Sequence, residues 1–255
     1  MAVGSFNFGY QHKHLSNFSR LCAKLVEEAD LDLLFGSEVG AFEKGFSNAG
    51  IDVENVLEEP FGAQNVKVSA LENYLAIWGF GGASQPVVVF PHGTPQLFSV
   101  PIGRVVKAAI HEFIVHARDG ASQPAKAFVV IGNVHIICGK CPPSILTRQR
   151  AVRLLAQHLQ TFTAPEPGMP VVRIMVGDNN LTSKQARECL QRERELDPLW
   201  EVLPALADGN GDHIVVSGAT ARFSAIPVGI SFQDRGMRND QHDACLLYTS
   251  PSPRD

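Results

Sequence analysis

The sequence predicts an α/β fold in one domain. Three observations predict it. An apolar strand-like opening leads into a stretch with helical spacing and then into a second apolar strand. Apolar strands and polar helices recur in the second half of the chain, and no repeat or long linker interrupts them. With 255 residues, 45% hydrophobic and 19% charged, the chain has material for a sizeable core, and wholesale disorder is excluded.

The elements follow in order. Residues 3–8 alternate weakly and read as a short strand. In residues 15–30, Leu15, Phe18, Leu21, Cys22, Leu25 and Val26 recur at helical spacing, with Ser16 able to cap the start. LDLLFG reads as a buried strand, and residues 39–70, rich in Gly, Asn and acidic residues, read as loops with a short helix. YLAIWGF and VVVFP read as strands joined by a turn at GGASQP. The run VVKAAIHEFIVHA contains helix formers, yet the turn RDGASQP separates it from the clear strand AFVVIGNVHII, so the two read as a hairpin. RQRAVRLLAQHLQTF is an amphipathic helix, broken by APEPGMP ahead of the buried strand VVRIMVG. TSKQARECLQRER reads as a charged helix capped by Thr182 or Ser183, and HIVVSG as a further strand.

Residues 1–245 form the expected domain. Residues 246–255, LLYTSPSPRD, carry no structural period and resemble a translated sequencing adapter, so they are expected to be a non-native tail, poorly anchored after Leu247. Pro251 and Pro253 in it cannot donate to a sheet.

The bulk chemistry narrows the function classes. A net charge of −4 gives no global pull toward nucleic acid, although a local basic rim or a bound metal would suffice for such a substrate. Cys22, Cys138, Cys141, Cys189 and Cys245 form no regular framework, which favours a reducing compartment. The Cys138–Cys141 pair lacks the second pair or histidines that structural zinc needs. The first residues lack a basic start followed by an apolar run, and no stretch approaches a membrane span, so a soluble intracellular protein without a signal peptide is expected.

Polar residues gather at the expected strand ends: Asn7, Glu38, Asn133 with His135, Asp178 with Asn180, Asp212 just before a strand, and His242 near the end. In layered α/β folds such ends converge on one sheet edge, where ligand sites form. Carboxylates there hold a hard cation through oxygen, and a histidine or aspartate positions or deprotonates water. Taken singly, each residue has an ordinary explanation: a turn former, a solvated charge, a backbone cap or a core histidine.

Their order resembles the endonuclease/exonuclease/phosphatase superfamily, which has the deoxyribonuclease I fold. That family opens on a strand ending in Asn, matched by Asn7. It continues with a Gln-Glu pair, here Ser37-Glu38, then an Asn-x-His, matched by Asn133 and His135. Gly-Asp-x-Asn is matched by Gly177, Asp178, Asn179 and Asn180, the late pre-strand Asp by Asp212, and the final Ser-Asp-His by His242, with Gln241 before it. The resemblance spans residues 3–244 and implies a four-layer sandwich, two β-sheets packed face to face with helices outside. It implies hydrolysis of a phosphodiester or phosphomonoester by in-line water attack, with nucleic acid the leading substrate class. Asn7 and Glu38 would bind Mg²⁺ or Mn²⁺. Asp212 would pair with His242 in acid/base catalysis, Asp178 would orient or activate water and Asn180 would hold the attacking geometry. Asn133 and His135 would donate to the developing phosphorane oxygens. A lipid, inositol or nucleotide phosphatase of the same fold is the alternative substrate class. The Ser37 and Gln241 departures motivate a catalytically inactive binding module.

Three further signals take ordinary readings. His12 and His14 fit a solvated loop, and Arg148, Arg150 and Arg153 a solvated helix face. GFGGAS lacks the Lys-Ser/Thr of a P-loop and reads as a hairpin turn.

Overall fold

The computed structural model describes residues 1–7, 19, 22–23, 25–26, 31–37, 39, 67–71, 74–79, 87–100, 106–117, 126–136, 144–191, 200–203, 214–217, 223–225 and 245–249. Among these run β1 (Ala2–Asn7), β2 (Leu33–Ser37), β3 (Lys67–Leu71), β4 (Tyr74–Trp78), β5 (Val87–Pro91), β6 (Gln96–Val100), β7 (Val106–Ala117) and β8 (Lys126–His135). There follow α1 (Ile145–Gln160), β9 (Val171–Asp178), α2 (Ser183–Gln191), β10 (Glu201–Leu203), β11 (Ile214–Ser217), β12 (Phe223–Ala225) and β13 (Cys245–Thr249). One sheet has the order β12-β13-β1-β2-β4-β3; the other runs β10-β11-β9-β8-β7-β5, with β6 also on β7.

The two sheets pack face to face. Val3, Leu33, Phe35, Ala76 and Trp78 from the first sheet and Phe113, Val115, Val129, Ile131, Ile174 and Val176 from the second form one buried cluster. Each set occupies alternate strand positions, as a pleat requires of one face. Phe113 sits at the centre of an aromatic contact, with Phe35 at 6.3 Å and Trp78 at 5.6 Å between ring centres, both edge to face. The opposite face of the second sheet, including Ile110, Val130, Val134 and Met175, packs under Val152, Leu155 and Leu159 of α1 and Ala186 and Leu190 of α2. Gly132 lets α1 approach: a Cβ there would stand 3.4 Å from Leu159 Cδ1. Leu34, Leu75 and Ile77 point to the outer face of the first sheet and are buried as well, as are Cys22, Leu25 and Val26 of the helical residues before β2. The result is the four-layer sandwich.

Both described helices begin on side-chain caps. Ser144 Oγ accepts from Thr147 N at 3.2 Å, so α1 starts before the RQR at which the apolar period becomes visible. At α2, Gln185 N donates to Thr182 Oγ1 at 3.2 Å and Thr182 N donates to Gln185 Oε1 at 3.0 Å, a reciprocal box that selects Thr182 as the cap.

The structure corrects several expectations. The expected hairpin of β7 and β8 forms, with Val115↔Ala127 and Lys107↔His135 in register. GGASQP is not a hairpin turn, because β4 and β5 lie in different sheets. Residues 67–71 are a strand, since KVSAL pairs antiparallel with β4 along its whole length. β7 is long enough to carry two short partners end to end, β5 along 113–117 and β6 along 106–110. The expected loss of anchoring after Leu247 does not occur. Cys245–Thr249 pairs with β1 through Ala2↔Tyr248 and Val3↔Leu247 and with β12 through Phe223↔Thr249. LLYT is rich in β-formers, and Pro251 and Pro253 come only after Thr249 in the sequence.

Removing the ring that bridges the sheets gives a direct measure of this packing. Phe113→Ala is expected to cost about 3–5 kcal/mol, read as a lower denaturant midpoint at unchanged slope; Phe113→Leu, which keeps most of the volume, is expected to cost less than half of that.

Candidate active site

The inner face of each sheet changes character at one end. Along β1, β2, β8 and β9 the inward positions run from apolar residues to Asn7, Ser37, Asn133 with His135, and Asp178. The pleat and register set these side chains in two rows. In the first sheet Asn7 is level with Ser37, and Ser37 with Tyr74. In the second, Asp178 is level with His135, and His135 with Lys107.

Three side-chain hydrogen bonds cross between the rows. Asn133 Nδ2 donates to Gly36 O at 2.7 Å. Tyr74 OH donates to Lys107 O at 2.5 Å. Asn7 Nδ2 and Asp178 Oδ2, 171 residues apart in sequence, meet at a longer 3.5 Å. Asn7, Ser37, Asn133, Asp178 and Asn179 are all 3% exposed or less, so these polar side chains form a buried layer between the sheets.

The turn after β9 is tightly held. Gly177 has φ +108, and a Cβ there would lie 2.2 Å from Val134 O, so only glycine brings β9 this close to β8. Asp178 Oδ1 accepts from Asn180 N at 2.9 Å, and Asn180 takes up a left-handed φ of 48. Asn180 Nδ2 donates to Ile136 O at 2.6 Å, and Arg148 Nη1 donates to Asn180 O. Arg148 is therefore not on a solvated helix face: it anchors this turn from the first helical turn of α1, while Arg150 is exposed.

The arrangement thus brings together Asn7, Asn133, His135, Asp178 and Asn180. Glu38, Asp212 and His242 lie outside the described residues, as do His12, His14, Cys138 and Cys141. The observed bonds of Asn133 and Asn180 go to backbone carbonyls, which gives both amides a structural duty at the edge. Tyr74, Lys107 and Arg148 are polar members of the edge that the strand-end pattern does not single out.

A hard cation takes oxygen ligands. The carboxamide of Asn7 and the carboxylate of Asp178 meet that requirement. Ser37 Oγ, Asn133 Oδ1 and Asn179 Oδ1 are buried oxygens without a hydrogen-bond partner among the described residues. The donor set is one of oxygens, and it fits Mg²⁺ or Mn²⁺ better than a soft metal. Among the described residues no three His, Cys, Asp or Glu side chains cluster.

His111 lies on the inner face of β7, between the polar layer and the apolar core. Its ring is edge-on to Phe35 at 5.6 Å and its Nε2 is buried without a partner among the described residues. Burial pushes its pKa down from 6.5 to about 4.

Solved structures share this architecture. D. rerio TDP2 complexed with single strand DNA product is 14% identical, with 98% of this chain and 99% of that one covered and a TM-score of 0.59. The mannosyl-6-phosphatase Bt3783 of Bacteroides thetaiotaomicron is 9% identical, with 98% and 99% covered and a TM-score of 0.57. An endonuclease/exonuclease/phosphatase family protein of the same organism is 8% identical, with 97% and 94% covered and a TM-score of 0.53. The chain has the endonuclease/exonuclease/phosphatase fold. No family model matches it, and no curated protein matches it.

Two measurements probe this edge. Gly177→Ala is expected to destabilise the protein by about 1–3 kcal/mol by straining the turn that carries Asp178, measured by chemical denaturation. For His111, the unfolded ring protonates near 6.5 and the folded one only near 4. The contribution of the neutral His111 ring is therefore complete well above pH 6.5 and is lost as the pH falls toward 4, by about 3 kcal/mol. In unfolding curves across that window, His111→Phe should flatten the decline.

Proposed function

We propose that this chain hydrolyses phosphate esters with the help of a divalent cation. The observation that carries the reading is the cross-sheet meeting of Asn7 with Asp178, which unites two distant strand ends in one buried polar layer. The fold adds support, since solved proteins that share it include a phosphatase and a TDP2 complexed with single strand DNA product. Nucleic acid is the substrate class we favour, on the strength of that complex.

In this reading Asn7 and Glu38 hold Mg²⁺ or Mn²⁺, which when bound offsets negative charge on the phosphoryl group. Asp178 aims the lone pair of the attacking water at phosphorus, opposite the leaving oxygen, and takes the water's proton as the new O–P bond forms. Asn180 keeps the Asp178 carboxylate in place through the turn they share. His135 donates to a non-bridging oxygen, and Asn133 does so with the amide hydrogen not given to Gly36. His242, oriented by Asp212, delivers a proton to the leaving oxygen.

The test is turnover of bis(p-nitrophenyl) phosphate, p-nitrophenyl phosphate and a single-stranded oligonucleotide with Mg²⁺, with Mn²⁺, and with chelator. Metal-dependent release is expected, and Asp178→Asn and Glu38→Gln should each lower it about 100-fold or more while the melting temperature holds. A folded chain that turns over none of the three with either metal would instead be a binding module.

A further inference from the structure

We propose that Arg148 is a positioning residue of this site: through the carbonyl of Asn180 it fixes the Asp178 carboxylate in the direction that serves the attacking water. The inference rests on the phosphoester reading of the site and adds to it a residue, away from the strand ends, on which the base depends.

Asn180 is held at three points. Its N–H donates to Asp178 Oδ1 at 2.9 Å, its Nδ2 donates to Ile136 O at 2.6 Å, and its carbonyl accepts from Arg148 Nη1. The residue has a left-handed φ of 48, which a side chain with a Cβ adopts only at a cost. Rotation back to negative φ would turn the N–H and the carbonyl relative to one another. The bonds to Asp178 and to Arg148 therefore stand or fall together. Oδ1 of Asp178 is the oxygen this N–H holds, and Oδ2 is the one that meets Asn7. Holding Oδ1 thus sets the plane of the carboxylate.

Arg148 is an unusual residue to spend on one carbonyl. It lies half-buried in the first turn of α1 with Nε buried and unpartnered, and the bond to Asn180 is its side chain's one hydrogen bond among the described residues. Docking of α1 has other supports. The next residue, Gln149, donates from Nε2 to Gln185 O of α2 at 3.1 Å. Val152 and Leu155 of α1 lie in one apolar cluster with Ala186 and Leu190 of α2. What Arg148 adds is a charge-assisted bond, about twice as strong as a neutral one, to the residue whose conformation carries the N–H to Asp178. Two neighbours on one helical turn so divide two duties: Gln149 ties helix to helix, and Arg148 ties the helix to the turn of the base.

The experiment follows amide hydrogen exchange at Asn180 and at Val176, in the core of β9, in the full chain. The variants are Arg148→Met, Arg148→Lys and Gln149→Ala, each with kinetics on bis(p-nitrophenyl) phosphate and Mg²⁺. Arg148→Met is expected to speed exchange at Asn180 about tenfold or more, with Val176 changed much less. Its kcat should fall about tenfold or more while KM stays within about threefold. Arg148→Lys, with one donor on a shorter stem, should fall between the parent and Arg148→Met in both. Gln149→Ala loosens the helix pair and should leave Asn180 exchange and kcat within about twofold of the parent. A folded Arg148→Met with parental exchange at Asn180 overturns the proposal, as does an equal loss of kcat in Gln149→Ala, which would make the effect one of helix docking. Should Arg148→Met not fold, parental Asn180 exchange in Arg148→Lys overturns it instead. A parent that turns over no ester sinks the hydrolase reading, and exchange at Asn180 then decides by itself whether Arg148 holds the Asp178 turn.

Discussion

Asn133 leaves one sheet and donates to the carbonyl of Gly36 in the other, at 2.7 Å and fully out of solvent. A sandwich of two sheets is held by non-directional apolar contact, which tolerates small slips of one sheet over the other. A buried hydrogen bond does not tolerate them, because a parted donor and acceptor in a dry gap each lose a partner, at about 1–3 kcal/mol per group. Asn133 therefore sets the separation and offset of the sheets at the edge where Asn7, Ser37 and Asp178 gather. Tyr74 repeats the device further along the same edge.

The polar layer weakens the fold that holds it. Ser37 Oγ, Asn133 Oδ1 and Asn179 Oδ1 are buried and unsatisfied among the described residues. Stability comes instead from the apolar layers, among them the one shared by the two sheets and the one between the second sheet and α1 and α2. That sheet is covered on both faces, which explains why AFVVIG reads as a continuous apolar run and why only Arg173 interrupts VVRIMVG.

How much of this was legible depended on whether a residue's surroundings lie near it in sequence. Asn7 and Asp178 stood out because each ends an apolar run with a polar side chain, and the Gly177 that precedes Asp178 signals the turn. The hairpin of β7 and β8 and both helices also carry their signals locally. Tyr74 and Lys107 did not, for each looks like an ordinary member of a strand until the register levels it with Ser37 or His135. Arg148 has helical spacing to a solvated face, and only the turn at Asn180 reveals its carbonyl partner. The strands β3, β6, β10 and β12 are short or polar, and their pairing comes from neighbours rather than from their own pattern. The end of the chain misled for the opposite reason: proline and serine at 250–253 dominated the reading, although the LLYT before them pairs with β1 and β12.

The turn after β9 shows how the fold and the edge share one constraint. β8 and β9 run parallel in register from Phe128↔Val171 to His135↔Asp178, and parallel strands this long need small residues wherever backbones crowd. Gly177 supplies one where β9 meets the Val134 carbonyl, and Gly132, under α1, supplies another. With Gly177 in place, Ile136 N donates to Asp178 O at 2.8 Å and Asn180 Nδ2 donates back to Ile136 O, so β8 and the turn lock together beyond the last strand residues. Asp178 then has no backbone freedom left with which to seek another position. Its carboxylate faces Asn7 because the glycine before it and the left-handed asparagine after it leave it no other course.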